Sequence, residues 1–330
     1  LTMSHGLKEL NLDFSQTSVH DLTQFYNIPM ENLEIIRFTF GLTAITWPIY
    51  SCLINKLLGM SRDSVKKAWL NLYESRFLED AKEVDGQELY DKALLEETNL
   101  TEITIRIDGF GLSTSLYLYP MQLSNRLRTL NLNLLTAVVD AVELCQTLRV
   151  VSKNSPDIEN FELLTNVSNQ LIGQTLLDLL ATFKNLRSLK LSSNHLGNLN
   201  YVPKMTSLRE LSVLFLLDGS SHLAEGFQEE NDYPDSETSE QDALLEDDEM
   251  DFIDSLHDGR EKGKRVEESG WDCPYNTYLL HILEKAPGLT SLDSLVTFSR
   301  LEELREFWRD VANFCPELTR CNILPINISP

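Results

Sequence analysis

Long apolar runs are missing from this sequence. No stretch of about 18 uninterrupted apolar residues occurs, so no transmembrane helix is predicted. Cysteine is scarce: Cys52, Cys145, Cys273, Cys315 and Cys321 are the only five. They are odd in number and scattered, with no Cys-x-x-Cys pair. That predicts buried or incidental thiols rather than a metal cluster or a disulfide framework. The paired cysteine caps of a secreted recognition ectodomain are lacking too. Positive charge is in deficit, with 28 Lys and Arg against 51 Asp and Glu, a net charge of -23. No basic face is visible along the chain. Nucleic acid as the main partner and adhesion to anionic membranes are therefore not expected. Residues 1–13 lack the basic start and apolar run of a signal peptide. The chain begins at Leu1 rather than Met and reads as a segment of a longer protein. The expected compartment is cytoplasmic or nuclear.

Catalytic signatures are also lacking. The histidines are His5, His20, His195, His222, His257 and His281, none with a His-x-x-x-His or His-x-Glu partner. There is no Gly-x-Ser-x-Gly elbow and no Gly-x-x-x-x-Gly-Lys phosphate loop. Asp108-Gly109-Phe110-Gly111 superficially resembles a kinase Asp-Phe-Gly, but its order is wrong, and a turn after a strand is the better reading. Three Asn-x-Ser/Thr triplets, at Asn99, Asn166 and Asn327, matter only in a secreted chain. The reading is a non-enzyme with no metal and no cofactor.

What the sequence does contain is a core and a repeat. Hydrophobic residues make up 42% of it, enough to form a packed interior. One pattern recurs: apolar, two variable, apolar, one variable, apolar. It appears at Leu7-Leu10-Leu12, Leu33-Ile36-Phe38, Leu100-Ile103-Ile105 and Leu127-Leu130-Leu132. It continues at Ile158-Phe161-Leu163, Leu186-Leu189-Leu191 and Leu208-Leu211-Val213, with weaker copies at Leu289-Leu292 and Leu318-Cys321-Ile323. The intervals between starting positions are 26, 67, 27, 31, 28, 22, 81 and 29 residues. Residues two apart share one side of a strand, so each unit has an apolar strand face that only its neighbours can bury.

Between these strands the spacing turns helical. Val138–Val151 places Val138, Val139, Val142, Leu144, Cys145 and Leu148 on one broad face. Leu171–Phe183, Tyr275–Lys285 and Leu301–Phe314 behave likewise, the last with Leu301, Leu304, Phe307, Trp308 and Val311. Pro156, Pro287 and Pro316 each follow such a helix and stop it.

The string Leu186-Arg187-Ser188-Leu189-Lys190-Leu191-Ser192-Ser193-Asn194-His195-Leu196 resembles the leucine-rich-repeat consensus. The resemblance implies that Asn194 satisfies backbone groups in the turn after its strand. The unequal repeats with helical connections are similar to the ribonuclease-inhibitor type. Ala286-Pro287-Gly288-Leu289-Thr290-Ser291-Leu292 and the string around Leu7-Lys8-Glu9-Leu10-Asn11-Leu12 resemble the substrate-binding region of fungal F-box proteins. The implied fold is an α/β leucine-rich-repeat solenoid, a horseshoe with an inner parallel β-sheet and outer helices. The F-box itself, an N-terminal helical motif, does not occur in this segment.

The expected organisation is an array over residues 1–217, an acidic insert over 218–270, and further repeats of the same array over 271–330. Residues 41–98 read as a helical excursion or one degenerate repeat, with Cys52, Leu53, Leu57, Leu58, Val65, Trp69, Leu72, Tyr73 and Phe77 at helical spacing. Asp218–Gly270 carries 19 acidic and four basic residues, so about -15 of the net charge lies there. Such a segment cannot bury enough surface to offset its ordering entropy, and disorder is expected. Ser239 and Ser255, each with an aspartate three residues on, are possible phosphosites. The patch Met250–Leu256 is a candidate amphipathic binding helix.

The variable strand residues should line the concave inner face: Glu9, Asn11, Asp13, Arg37, Thr39, Glu102, Thr104, Arg106, Thr129, Asn131, Asn133, Asn160, Glu162, Ser188, Lys190, Ser192, Glu210 and Ser212. Solenoids bind partners on such faces. The expected function is protein–protein recognition, as the substrate-binding region of an F-box-type ubiquitin-ligase receptor. A cullin-ligase adaptor would then dock on the F-box outside this segment. The other reading is a non-enzymatic scaffold, or a histone-chaperone-like binder that uses the acidic tract.

Overall fold

A computed structural model describes residues 7–14, 32–42, 64–74, 99–108, 124–137, 139–167, 170–199, 201–214, 274–297 and 300–326. The chain divides into two compact units, Leu1–Leu216 with Asp272–Pro330, and Leu217–Trp271. Every described residue belongs to the first. The acidic segment, with Ser239, Ser255 and the Met250–Leu256 patch, lies outside the described residues.

The first unit is an α/β structure built on one open, all-parallel sheet of ten strands. The strands are β1 (Glu9–Phe14), β2 (Ile35–Leu42), β3 (Lys67–Glu74), β4 (Glu102–Asp108) and β5 (Thr129–Leu134), followed by β6 (Asn160–Thr165), β7 (Ser188–Ser192), β8 (Glu210–Leu214), β9 (Ser291–Thr297) and β10 (Arg320–Ile326). They lie in the sheet in chain order, each paired with its sequence neighbour. Among the described residues, four helices connect strands: α1 (Ala141–Asn154), α2 (Gln170–Thr182), α3 (Pro274–Lys285) and α4 (Leu301–Phe314). A 3-10 helix, Ser193–Asn198, follows β7.

The repeat pattern explains this order. In register, Ile36, Ala68, Ile103, Leu130, Phe161, Leu189, Leu211 and Leu292 form one row across eight strands. Each is at most 2% exposed. Phe38, Leu70, Ile105, Leu132, Leu163, Leu191 and Val213 form the next buried row, and the leading residues Leu33, Val65, Leu100, Leu127, Ile158, Leu186, Leu208 and Leu289 close the turns beneath them. Burying each large side chain stabilises the fold by roughly 1.5–3 kcal/mol, so unequal connections are tolerated as long as these rows persist. Helix residues cover the same side of the sheet: Phe183, just after α2, meets Phe161 with ring centroids 5.9 Å apart. Asp140 caps α1 by accepting from Glu143 N at 3.0 Å, which offsets one orphan donor of the first turn.

Buried serines tie successive units together. Ser124 Oγ donates to Leu100 O at 2.7 Å. Ser155 Oγ donates to Ser124 O and accepts from Leu127 N, both at 3.1 Å. Each satisfies backbone groups that would be costly to leave unpaired in the interior.

One sequence alternative is resolved and two expectations need correction. Of the two readings of residues 41–98, a helical excursion or one degenerate repeat, the described part fits the second, because β3 occupies Lys67–Glu74. Val65-Ala68-Leu70 is a further copy of the repeat. It was hidden because β3 carries large apolar residues on both faces: Ala68, Leu70 and Leu72 are buried, while Trp69 and Tyr73 lie on the other side. Val142, Leu301 and Trp308 do not join the apolar faces of their helices, being 56%, 50% and 38% exposed. Their helices turn other residues inward: Leu144, Cys145, Leu148 and Val151 on α1, and Phe307 and Val311 on α4. Ser192 does not face solvent, as described below. The proline stops stand where expected, since α1, α3 and α4 end at Asn154, Lys285 and Phe314.

Candidate functional site

Strand side chains alternate between the helix-covered face and an open face. Of the eighteen residues expected on the open face, seventeen lie there in ordered rows. In strand order the first row reads Glu9, Ile35, Lys67, Glu102, Thr129, Asn160, Ser188, Glu210, Ser291, Arg320. The second reads Asn11, Arg37, Trp69, Thr104, Asn131, Glu162, Lys190, Ser212, Asp293, Asn322. A third holds Asp13, Thr39, Asn71, Arg106 and Asn133. The exception is Ser192, which is fully buried. β7 ends there, and its hydroxyl turns inward to donate to Thr165 O at 2.8 Å and accept from Thr165 N at 3.1 Å. Asn194 Nδ2 donates to the same carbonyl at 3.0 Å, the backbone role expected for it.

The rows are cross-linked by their own side chains. Asn131 Nδ2 donates to Thr104 Oγ1 at 3.2 Å, and Asn160 Nδ2 to Thr129 Oγ1 at 3.0 Å. Asn322 Nδ2 donates to Asp293 at 3.0 Å. Lys190 pairs with Glu162 at 3.2 Å, Lys67 with Glu102 at 3.0 Å, and Arg37 with Glu9 at 3.2 Å. These contacts fix the rotamers of long side chains before a partner arrives, which lowers the ordering cost of binding.

Two parts of the open face differ. Around β3, Trp69 is half-buried, with the Arg37 guanidinium 4.4 Å and the Lys67 ammonium 5.9 Å from its ring centroid. Tyr73 stands two positions further on, its phenol pushed up from the ordinary value by burial and then by Asp13, so it stays a neutral donor. Helical spacing concealed both from the sequence reading; alternation from Lys67 through Tyr73 was the signal. From β5 to β10 the face instead forms a shallow hollow of about 290 Å³. Its floor is small and polar, with Ser188, Ser212 and Ser291, and Glu162, Lys190, Glu210, Asp293 and Arg320 supply charge.

A further row was not anticipated. The residue just before each strand offers its carbonyl to its neighbour's backbone, giving a ladder of Lys8, Glu34, Lys66, Thr101, Arg128, Glu159, Arg187, Arg209, Thr290 and Thr319. Five of these are cations and two are anions. The first open-face row, by contrast, has two cations and three anions, and the second has two of each.

No group of three or more His, Cys, Asp and Glu side chains able to hold a metal occurs among the described residues. His195 is fully buried, and neither ring nitrogen has a hydrogen-bond partner among the described residues. Burial pushes its pKa down to about 4, so it is neutral at physiological pH. Cys315 is also buried and its thiol is pushed up to about 11, chiefly by burial, which makes it an inert core thiol. Asp108 ends β4, takes Arg106 Nη2 at 3.3 Å and accepts from the Thr136 hydroxyl at 3.0 Å; residues 109–111 lie outside the described residues. Among the described residues no helix is long and apolar enough to cross a membrane.

Fold and site define a class: a repetitive parallel α/β sheet with one face covered by helices and the other open, polar and internally braced. The chain matches no family model and no curated protein.

Proposed function

We propose that this chain is a protein-recognition module, a leucine-rich-repeat array that holds its target on the open face of the sheet. One observation carries the reading. Trp69 stands, with Tyr73, on a face otherwise made mostly of Asn, Thr, Ser and charged residues, and Arg37 is stacked against it. Trp, Tyr and Arg are the residues that dominate binding energy at protein interfaces, and here they sit together on a rigid sheet. The repeat spacing and the short strings named above favour the substrate-binding region of an F-box-type ubiquitin-ligase receptor, working in the cytoplasm or nucleus. That step rests on analogy rather than on site chemistry.

The test is affinity purification of the full-length protein from its own cells, wild type beside Trp69→Ala. The reading expects a cullin and its adaptor with both, and loss of the remaining target with Trp69→Ala alone. Retention of every target by Trp69→Ala would remove the open face from the account. Recovery of histones without ligase subunits, abolished by deleting Glu229–Asp258, would favour the scaffold reading, which the 19 acidic residues of Asp218–Gly270 support.

A further inference from the structure

The ladder before the strands gathers positive charge in a chain whose net charge is -23. The excess is only partly cancelled among the described residues: Lys8 pairs with Glu34 at 3.2 Å, which leaves the cations from β3 onward. Lys66 is exposed and has no ion pair among the described residues. Arg128 and Arg187 share one carboxylate, Glu159, with Arg187 Nε 3.8 Å from it. The Arg209 guanidinium is held by carbonyls instead, donating to Thr206 O at 3.1 Å, Leu208 O at 3.2 Å and Gly288 O at 2.9 Å. Carbonyls orient that group without neutralising it. A Cβ at position 288 would stand 2.0 Å from Arg209 Nη1, so glycine is what leaves room for the guanidinium over the turn.

The spacing is set by the sheet. Neighbouring strands lie about 4.8 Å apart, so Lys66 on β3, Arg128 on β5 and Arg187 on β7 recur at about 9.6 Å, with Arg209 one strand further. An extended polypeptide advances about 3.3 Å per residue, so a carboxylate at every third residue keeps step with two-strand intervals. We propose that this upstream edge of the sheet, from β3 to β8, is a cationic rail that takes an extended acidic segment of the partner protein. The proposal rests on the protein-recognition reading and adds the chemistry of what is recognised. Glu159 in the middle of the rail decides for a polypeptide over a nucleic acid: a segment with acids at intervals can leave that rung empty, whereas a continuous phosphate backbone cannot.

The experiment is fluorescence anisotropy on the full chain. The probe is a labelled peptide of Glu-Gly-Ser repeats about 15 residues long, matching the expected spacing. Two triple variants are compared, Lys66→Gln with Arg128→Gln and Arg187→Gln, and the same three positions changed to Glu. Circular dichroism melts check that each is folded. The expected result is binding that weakens as salt rises, falls about tenfold in the neutral variant and further in the reversed one. Absence of binding at low salt, or equal affinity in the triple variants, overturns the rail. So does a single-stranded oligonucleotide of equal charge that binds as well as the peptide. These outcomes are separable from failure of the open-face reading, which is decided by target loss in Trp69→Ala.

Discussion

The open face around β3 and the open face from β5 to β10 share a backbone geometry and differ in what they present. The first concentrates aromatic surface and cations in one place: Trp69 under Arg37, with Lys67 beside it. The second spreads small hydroxyls and paired charges over a broad, shallow hollow. Aromatic and guanidinium groups supply large contact area at low entropy cost, so affinity should reside around β3. Braced polar groups penalise partners that cannot satisfy them, so discrimination should reside in the hollow. Repeating one strand pattern leaves the variable positions free to divide those tasks.

The comparison requires both parts to stand on one core, and Phe161 tests that most severely. It is buried in the row beneath the hollow and packs against Phe183. Phe161→Ala is expected to cost about 3–5 kcal/mol in unfolding free energy. If the sheet is one cooperative unit, the fluorescence of Trp69, read with Trp47, Trp271 and Trp308 changed to Phe, should shift to the same lower denaturant midpoint as far-UV circular dichroism. Separate midpoints would mean that the two parts are independent in stability as well as in chemistry.

His195 provides the next largest effect, and it belongs to the hollow's side of the molecule. The 3-10 helix that carries it packs against α2 and α3. Its folded pKa, about 4, lies below the ordinary histidine value of about 6.5. Below pH 6.5 the unfolded chain takes up a proton that the folded chain refuses, so stability falls as pH falls. The loss should amount to roughly 1.4 kcal/mol per pH unit between about 6.5 and 4, on the order of 3 kcal/mol in all, and then level off. His195→Leu should flatten that slope, measured by urea titration at several pH values. An unchanged slope would assign the acid sensitivity to other groups.

Much of the fold was legible in the sequence, because the signals were redundant. Nine of ten strands follow from leucine-type positions that a parallel array must bury, and four helices from their spacing, three of them with a proline stop. β3 was not legible. Trp69 and Tyr73 put aromatic residues on its open face beside Lys67 and Asn71, so its large apolar residues also fit a helical spacing and the alternation was masked. The feature that erased the strand signal is thus the one that makes the site distinctive. Ser192 failed for another reason: simple alternation places it on the open face, but the strand ends there, and the backbone groups of Thr165 claim its hydroxyl. The cationic ladder was illegible because its members are separated by 22 to 81 residues along the chain and meet only through the register.

Trp69→Ala should separate affinity from stability. Losing the stacked pair costs under about 1 kcal/mol of folding free energy. Binding of the target should weaken by about 2 kcal/mol, roughly 30-fold. Calorimetry against the purified target and a parallel thermal melt measure the two. A large stability loss with unchanged affinity would make Trp69 a brace for β2–β4 and move the centre of binding elsewhere.

The smallest effect is the most discriminating. Lys190 and Glu162 face each other at 3.2 Å in the hollow, and both remain partly open to solvent. A pair so placed contributes roughly 0.2–1 kcal/mol to stability. Swapping the two, as Lys190→Glu with Glu162→Lys, preserves the pair and reverses the local field. Folding stability should therefore change by less than about 0.5 kcal/mol, whereas each single reversal sets two like charges together and costs more. If the hollow discriminates between partners, the swap should alter which targets bind while Trp69 still supplies the affinity for those that fit. If the swapped protein keeps its target with undiminished affinity, the hollow is only a solvated part of the sheet, and recognition contracts to the strands around β3.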